Sequence, residues 1–246
     1  MRNIKLTIEY DGSRYSGWQR LGKGEAANTI ENKIMEVIRK MTDENVELFC
    51  GCRTETGVHA NAQVVNFKTN TSMKTWEIKQ YLNRYLPMDI AILEVEEMQE
   101  RFHASLNAKS ITYMYRIAIG DVPSVFDRKY TYYSFHTPDL ERMKLAADKL
   151  VGRHDFKFLS TVKKTKSTEK EILHIDIYKD LKEIQITICA NDFLHNMARM
   201  IVETLLDIGL EERKVEELDD ILNPDSPVEG SEPADPKGLF LQEIQY

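Results

Sequence analysis

The chain has 246 residues, of which 42% are hydrophobic and 30% are charged, and its formal net charge at pH 7 is −7. This length is enough for one large hydrophobic core or two small ones. No apolar run approaches the roughly 20 residues of a membrane-spanning helix. The first ten residues alternate apolar and polar side chains, which predicts a strand and not a signal peptide. We therefore expect a cytoplasmic protein with no membrane association.

The negative charge argues at first against a nucleic-acid partner, but the charges are distributed unevenly. Residues 203–235 contain twelve acidic and two basic side chains, so the rest of the chain carries a net charge of +3. This separation is compatible with a basic working face and an acidic back. It is equally compatible with acidic helices that are merely solvated.

Cysteine use favours a reduced, metal-free protein. The cysteines are Cys50, Cys52 and Cys189, and no further cysteine or histidine pair stands at a zinc-binding spacing. Cys50 and Cys52 have the spacing of a redox pair, but we favour a buried strand for this segment.

The hydrophobic pattern of the first half predicts the order β-α-β-β-α-β. We expect its first helix to begin with Asn28 and Glu31 as a capping pair. The predicted elements are a strand over 4–9, a helix over 29–41, strands near 46–50 and 62–69, a helix over 75–86 that ends before Pro87, and a strand over 90–97.

The second half repeats this order with one extra helix. Its predicted elements are a strand over 110–119, a helix from Pro138 to Val151 that Gly152 ends, strands over 172–180 and 184–191, helices over 194–209 and 214–222, and a strand over 239–246. The pattern predicts an α+β protein with two tandem ferredoxin-like halves, 1–105 and 106–246. We expect the halves to share a continuous antiparallel sheet, with the active site in the cleft between them.

Residues 51–60, GCRTETGVHA, connect two predicted strands of the first half and form what we call the signature loop. Its polar residues are too many for a simple connection. Arg53 and Glu55 form either a structural ion pair or part of a site in which a carboxylate is held for chemistry. Gly57 allows close approach of a ligand to the backbone, and the flanking strands keep the loop rigid.

The signature loop resembles the G-R-T-D-x-G-V-H-A motif of the tRNA pseudouridine synthase A family. Five further segments resemble family motifs in the same order, so the resemblance covers nearly the whole chain. These segments are EYDGSRYSGWQR at 9–20, RFHASLNAKSITYMYRI at 101–117, GRHDF at 152–156, NDFLHNMARMIVETLLDIG at 191–209 and ADPKGLFLQEIQY at 234–246.

The resemblance implies an isomerase that converts uridine to pseudouridine in the anticodon arm of tRNA. It also implies a homodimer that needs neither a metal nor an organic cofactor. In the family, the loop aspartate acts at the sugar, as nucleophile at C1′ or as base at C2′. A tyrosine stacks on the uracil, and an arginine pairs with the aspartate. By motif position these two residues are Tyr113 and Arg199, and Arg53 helps to position the carboxylate.

This sequence departs from the family pattern at the carboxylate itself, because Glu55 occupies the aspartate position and Cys52 replaces a glycine. Glycosidases use either acid at an anomeric carbon, so the chemistry permits glutamate. One added methylene nevertheless moves the carboxylate by roughly 1 Å, and such a misplacement costs about 10²-fold in rate. Either the pocket has been rebuilt around the longer side chain or activity has been lost.

A second group of departures lies near Arg199, where Ala198 replaces a valine and Glu203 replaces a glycine. Residues four apart share one face of a helix. We therefore expect Glu203 to pair with Arg199, and His195 to lie in the same row.

Two basic loops are candidates for RNA binding. In the first loop, cations stand beside an aromatic ring, which suits phosphates and a stacked base. The second is a lysine-rich loop that suits phosphates alone. The candidate residues are Arg14, Trp18, Arg20 and Lys23 in the first loop, the signature-loop His59, and Lys163, Lys164 and Lys166, with Lys170 nearby. Each lysine is equally explained as solvated surface, Tyr113 as core, and His59 as a residue that binds only its own loop. We expect Asp155 to be a structural cap.

Three functions follow from these observations. The first is isomerisation of uridine in structured RNA, which we expect to be tRNA. The second is an RNA-binding relative that remodels tRNA without isomerising it, in which only the carboxylate has drifted. The third is an enzyme that acts on a free nucleoside and does not need the basic loops.

Overall fold

A computed structural model describes residues 1–19, 28–162, 167–223, 225–226 and 228–246. The chain divides into two compact units, one formed by 1–109 with 240–246 and the other by 110–239. This division differs from the predicted halves, 1–105 and 106–246, chiefly in the closing segment. That segment groups with the first unit, where Phe240 and Leu241 pair in parallel with His59 and Ala60.

The first unit has the predicted β-α-β-β-α-β order. Its elements are β1 (Arg2–Tyr10), α1 (Ile30–Thr42), β2 (Phe49–Cys50), β3 (His59–Thr69), α2 (Thr75–Tyr85) and β4 (Ile90–Met98). β1 pairs antiparallel with β3 on one side and with β4 on the other, and β2 pairs antiparallel with β3. Because β1 is a central strand, its residues Ile4, Leu6 and Ile8 are fully buried.

Helix α1 covers the first unit with a stripe of apolar residues at a spacing of four. Ile30, Ile34 and Ile38 are buried along this stripe. The helix is capped by Thr29, whose side chain accepts a hydrogen bond from the Asn32 backbone N–H. The prediction that Asn28 is the cap is therefore wrong: the Asn28 amide donates instead to the Arg14 carbonyl at 2.6 Å.

The second unit is also α+β. Its elements are β5 (Ser110–Ala118), β6 (Tyr132–Tyr133), α3 (Leu140–Leu150), β7 (Gly152–Asp155), β8 (Glu169–Lys179), β9 (Glu183–Ala190), α4 (Met197–Gly209) and α5 (Glu217–Ile221), before the closing strand β10 (Leu239–Gln245). β9 pairs antiparallel with β5 and with β8, and β7 pairs antiparallel with β8. The sequence predicts neither β6 nor β7, since strands of two and four residues are too short to show a period.

Local backbone features of the second unit agree with the sequence. Helix α3 ends at Leu150, and Gly152 has a φ of 109°, a left-handed conformation that favours glycine. Asp155 accepts a hydrogen bond from the Lys157 backbone N–H at 2.9 Å and so stabilises the turn into a short 3-10 helix, Lys157–Leu159, but the cap residue of that helix is Phe156 and not Asp155. Across the described ranges, no helix is long and apolar enough to span a membrane.

Candidate active site

The signature loop presents Arg53 and Glu55 outward on either side of a buried threonine. Arg53 is exposed, Thr54 is 5% exposed, and Glu55 is half-buried. A turn follows, in which the Val58 backbone N–H donates to the Glu55 carbonyl at 3.2 Å and Gly57 has a φ of 79°. The carboxylate therefore stands directly before a tight turn between β2 and β3.

Residues 11–19, which we call the opening loop, pack against the backbone of the signature loop. A Cβ on Gly12 would lie 2.0 Å from the Val58 carbonyl oxygen, and a Cβ on Gly17 would lie 2.9 Å from that of Thr54. The Trp18 backbone N–H also donates to the Thr54 carbonyl at 3.0 Å. The approach is so close that only glycine fits at these two positions.

His59 joins the same two loops from inside the unit. Its Nδ1 accepts a hydrogen bond from the Gly12 backbone N–H at 3.1 Å, and its ring stacks on Phe240 with centroids 4.7 Å apart. The same Nδ1 lies 3.3 Å from Asp11 Oδ1, also in the opening loop. His59 is 1% exposed, and the prediction that it contacts RNA is wrong.

The aromatic residue of the opening loop is also part of the core. Trp18 is 0% exposed, and its ring lies 6.2 Å from that of Tyr10. A ring without exposed surface cannot stack on a base of bound RNA. The predicted RNA contact through Trp18 is therefore wrong, and the indole is part of the core of the first unit.

Arg14 is the candidate of the opening loop that reaches solvent. Its guanidinium is 2.6 Å from Asp89, which also accepts a hydrogen bond from the Tyr15 hydroxyl at 2.6 Å. Burial raises the pKa of Asp89, but the bonds from Tyr15 and Arg14 outweigh burial and lower it. Its role in RNA binding stays a prediction.

The other predicted cations, Arg20, Lys23, Lys163, Lys164 and Lys166, lie outside the described residues. The nearby Lys170 is mostly buried against Asp192.

Two thiols flank the first residues of the signature loop. The Cys50 thiol donates to the Cys52 carbonyl at 3.1 Å, and both side chains are free cysteines. Burial raises the pKa of Cys50, so its thiol stays protonated at neutral pH. Arg53 lies near Glu31, where burial raises the pKa of the carboxyl and the guanidinium charge opposes this rise.

In the second unit, Tyr113 lies on β5 opposite Ile188 of β9. The tyrosine is 5% exposed, and its ring meets the edge of Phe193 at 5.0 Å and nearly a right angle. Phe193 carries no periodic signal in the sequence, because it is one aromatic residue in a loop.

Arg199 lies in the first turn of α4 and is oriented by neighbours of its own unit. Its Nε donates to the Ala234 carbonyl at 2.5 Å, and its Nη1 donates to Asn196 Oδ1 at 3.3 Å. The Ala234 backbone N–H in turn donates to the Arg199 carbonyl at 3.2 Å. The segment that leads into β10 therefore fixes the direction of this guanidinium.

The predicted row of His195, Arg199 and Glu203 is wrong. α4 begins at Met197, after Asn196 with a φ of 62°, so His195 precedes the helix and instead bonds Thr161 at 2.7 Å. Burial and the charges of Asp207 and Glu212 raise the pKa of Glu203. Within the described residues no ion pair joins Glu203 to Arg199, so the predicted pair is wrong as well.

A half-buried carboxylate on a loop held by glycines and backbone hydrogen bonds is an arrangement compatible with nucleophilic or base chemistry. The family model described as tRNA pseudouridine synthase matches residues 6–106 and 146–246. The chain belongs to this family. It is an isomerase that converts uridine to pseudouridine in tRNA.

Individual relatives match the chain from end to end. A protein named tRNA pseudouridine synthase A 2 from Bacillus cereus is 40% identical over 247 residues, which is 100% of both chains. A tRNA pseudouridine synthase A from Bacillus sp. (strain KSM-64) and a tRNA pseudouridine synthase A 1 from Clostridium tetani are each 41% identical, again over 100% of both chains.

Proposed function

We propose that Glu55 supplies the carboxylate for this isomerisation and that the target uridine lies in the anticodon stem-loop of tRNA. The observation that carries the proposal is the placement of Glu55, which is half-buried on a loop whose backbone is bound on both sides of it. Thr54 is held by Trp18, and the Glu55 carbonyl is held by Val58. A carboxylate in so rigid a frame is preorganised for reaction.

In the proposed mechanism, the Glu55 carboxylate acts at the ribose, either as nucleophile at C1′ or as base at C2′. As nucleophile, the carboxylate bonds C1′ while the glycosidic bond to N1 breaks, and it leaves C1′ when C5 of the turned uracil attacks. As base, it takes the C2′ proton as N1 leaves, and it returns that proton when the bond from C1′ to C5 forms. The proton lost from C5 returns to N1, so atoms and charge balance without a cofactor. Glutamate is chemically equivalent to aspartate in this role.

The remaining assignments rest on motif position. Tyr113 is proposed to stack on the uracil, and Arg53 and Arg199 are proposed to supply positive charge for the carboxylate. Stacking of an aromatic ring on a base contributes about 1–3 kcal/mol. Arg14 and the lysines of the second basic loop are proposed to bind tRNA phosphates. We further propose that the protein acts as a homodimer in the cytoplasm, as its resemblance to the family implies.

The experiment is formation of pseudouridine on unmodified tRNA transcripts by wild type and by Glu55→Gln. We expect the amide variant to lose turnover by at least about 10³-fold while it binds tRNA normally, since an amide neither attacks as an anion nor takes a proton. Glu47→Gln, at an exposed position of the same unit, controls for the lost charge. Turnover by Glu55→Gln within about tenfold of wild type refutes the assignment. Mapping the modified position tests the anticodon target.

A further inference from the structure

A chain of buried hydrogen bonds lies beneath the signature loop. Gln63 of β3 is 0% exposed, and its Nε2 donates to the Cys52 carbonyl at 2.5 Å and to the Tyr10 hydroxyl at 3.4 Å. Tyr10, at the end of β1, is 3% exposed, and its hydroxyl shares a hydrogen bond of 2.7 Å with the Thr54 hydroxyl. The chain therefore reaches the loop at two points, on either side of Arg53.

The orientation of the Gln63 amide in this chain is determined by its partners. Its Oε1 accepts a hydrogen bond from the Val64 backbone N–H at 3.0 Å. The Cys52 carbonyl requires a donor, so the amide nitrogen faces the loop. Burial raises the pKa of the Tyr10 phenol, which keeps it neutral. Every member is bound, and a fully satisfied buried network is rigid.

The anchored threonine determines which way its neighbours point. Thr54 faces inward to Tyr10, whereas Arg53 is exposed and Glu55 is half-buried. Since Tyr10 and Gln63 are buried, neither of them reaches an RNA substrate. We propose that Tyr10 and Gln63 are positioning residues that determine where the Glu55 carboxylate stands, acting through Thr54 and the Cys52 carbonyl. This inference rests on the catalytic role proposed for Glu55.

The proposal predicts a selective loss of turnover. Displacement of a reacting group by about 1 Å costs about 10²-fold in rate. Tyr10→Phe removes one hydroxyl and leaves the ring beside Trp18, so a shift of part of that distance is expected. We expect kcat, or the single-turnover rate, to fall about 10–100-fold. We expect KM and tRNA affinity to change by less than about twofold.

Tyr133→Phe is a control for this change. Tyr133 lies on β6 of the second unit, and its hydroxyl donates to the Gly120 carbonyl at 2.6 Å. Both variants lose one hydrogen bond of a tyrosine hydroxyl. Only Tyr10→Phe is expected to lower kcat.

A second pair of variants, at Thr54, tests the same hydrogen bond between the Tyr10 and Thr54 hydroxyls from its signature-loop end. Thr54→Val removes the hydroxyl with little change of volume, whereas Thr54→Ser keeps it. We expect Thr54→Val to lower kcat as Tyr10→Phe does, Thr54→Ser to keep it within about threefold, and the double variant Tyr10→Phe/Thr54→Val to be no slower than the slower single one. The pair keeps the test decisive if Tyr10→Phe folds poorly.

The outcomes separate this inference from the proposed function. If Glu55→Gln is inactive while Tyr10→Phe and Thr54→Val keep wild-type kcat, the positioning inference is wrong and the role of Glu55 stands. The inference is also wrong if the two losses multiply in the double variant, because the residues then act independently. If Glu55→Gln retains turnover, the proposed function fails and this inference fails with it.

Discussion

Gly12 and Val58 touch so closely that a single methyl group on Gly12 would lie 2.0 Å from the Val58 carbonyl oxygen. This approach joins the opening loop to the turn that follows Glu55. The obstacle is backbone and not the end of a flexible side chain, so neither loop can absorb an added atom without moving.

We therefore expect Gly12→Ala to displace the signature loop. Overpacking of this kind costs about 1–3 kcal/mol of folding free energy, and the shift of Glu55 lowers kcat by at least about tenfold. Gly120→Ala is the control, because a Cβ there meets nothing within 4 Å although φ is 126°. Gly120→Ala is expected to lower stability and to leave kcat unchanged. Denaturant unfolding and single-turnover kinetics measure the two effects, and normal turnover by Gly12→Ala contradicts the prediction.

The sequence predicts the fold around Glu55 better than it predicts the roles of the residues near it. The β-α-β-β-α-β order of the first unit follows from periodicity, because the apolar residues of β1 and α1 face one core. The buried positions of Trp18 and His59 could not be predicted from periodicity. Basic residues around an aromatic ring are typical of RNA binding, but the pattern does not reveal that the indole of Trp18 is buried. Burial depends on contacts between residues distant in the chain, which no local pattern contains.

The helix that carries Arg199 shows a second limit of the sequence. Spacing of four residues predicts the ion pair with Glu203, but it does not predict that Asp207 and Glu212 add negative charge around that carboxyl. Nor does it predict that Asn196 adopts a left-handed conformation and excludes His195 from the helix. Both errors have the same cause. Helical spacing gives the angle at which a side chain leaves the helix axis, but it gives neither the residue at which the helix begins nor the charges that surround a side chain.

Glu203 gives a prediction about pH. Burial and its acidic neighbours raise the pKa of this carboxyl in the folded state. A raised pKa means that the folded state binds the proton more tightly than the unfolded state, so stability from Glu203 is present at acid pH and is lost as pH rises through the folded pKa. We expect Glu203→Gln to raise the melting temperature at pH 7–8 and to change it little near pH 4. Glu216→Gln, at an exposed position, is the control. Equal effects of Glu203→Gln at both pH values contradict this prediction.

The lysine loop gives a prediction about salt. Replacement of Lys163, Lys164 and Lys166 by alanine is expected to reduce the log–log slope of tRNA affinity against salt by about 0.7–0.9 for each phosphate that the loop no longer binds. A control variant in which Lys144, Lys149 and Lys214 are replaced by alanine has the same charge change at other positions of the chain. Fluorescence anisotropy at four salt concentrations measures the slopes. An unchanged slope in the first variant would show that the lysines are solvated surface and do not bind tRNA phosphates.

Tyr113→Phe tests the role of the tyrosine at the base. The ring and its edge contact with Phe193 remain, so we expect tRNA affinity to hold while kcat falls about tenfold through loss of the hydroxyl. Tyr178→Phe, at an exposed position on β8, controls for the same substitution. If Tyr113→Phe lowers the melting temperature and the affinity in parallel and leaves kcat unchanged, Tyr113 is mainly a core residue.

Glu55→Asp distinguishes a site rebuilt for glutamate from one that tolerates it. The opening loop, Tyr10 and Gln63 fix the backbone of the signature loop, so the shorter acid cannot be compensated by movement of the loop. The carboxylate of Glu55→Asp therefore withdraws by roughly 1 Å, and we expect kcat to fall about 10²-fold with unchanged tRNA affinity. The measurement is single-turnover pseudouridine formation by wild type and Glu55→Asp at saturating enzyme. A gain of turnover in Glu55→Asp would show that the frame still fits aspartate and that glutamate is the misplaced acid. Equal rates would show that the carboxylate finds its place independently of the frame, which contradicts the rigidity inferred from Gly12, Gly17 and Thr54.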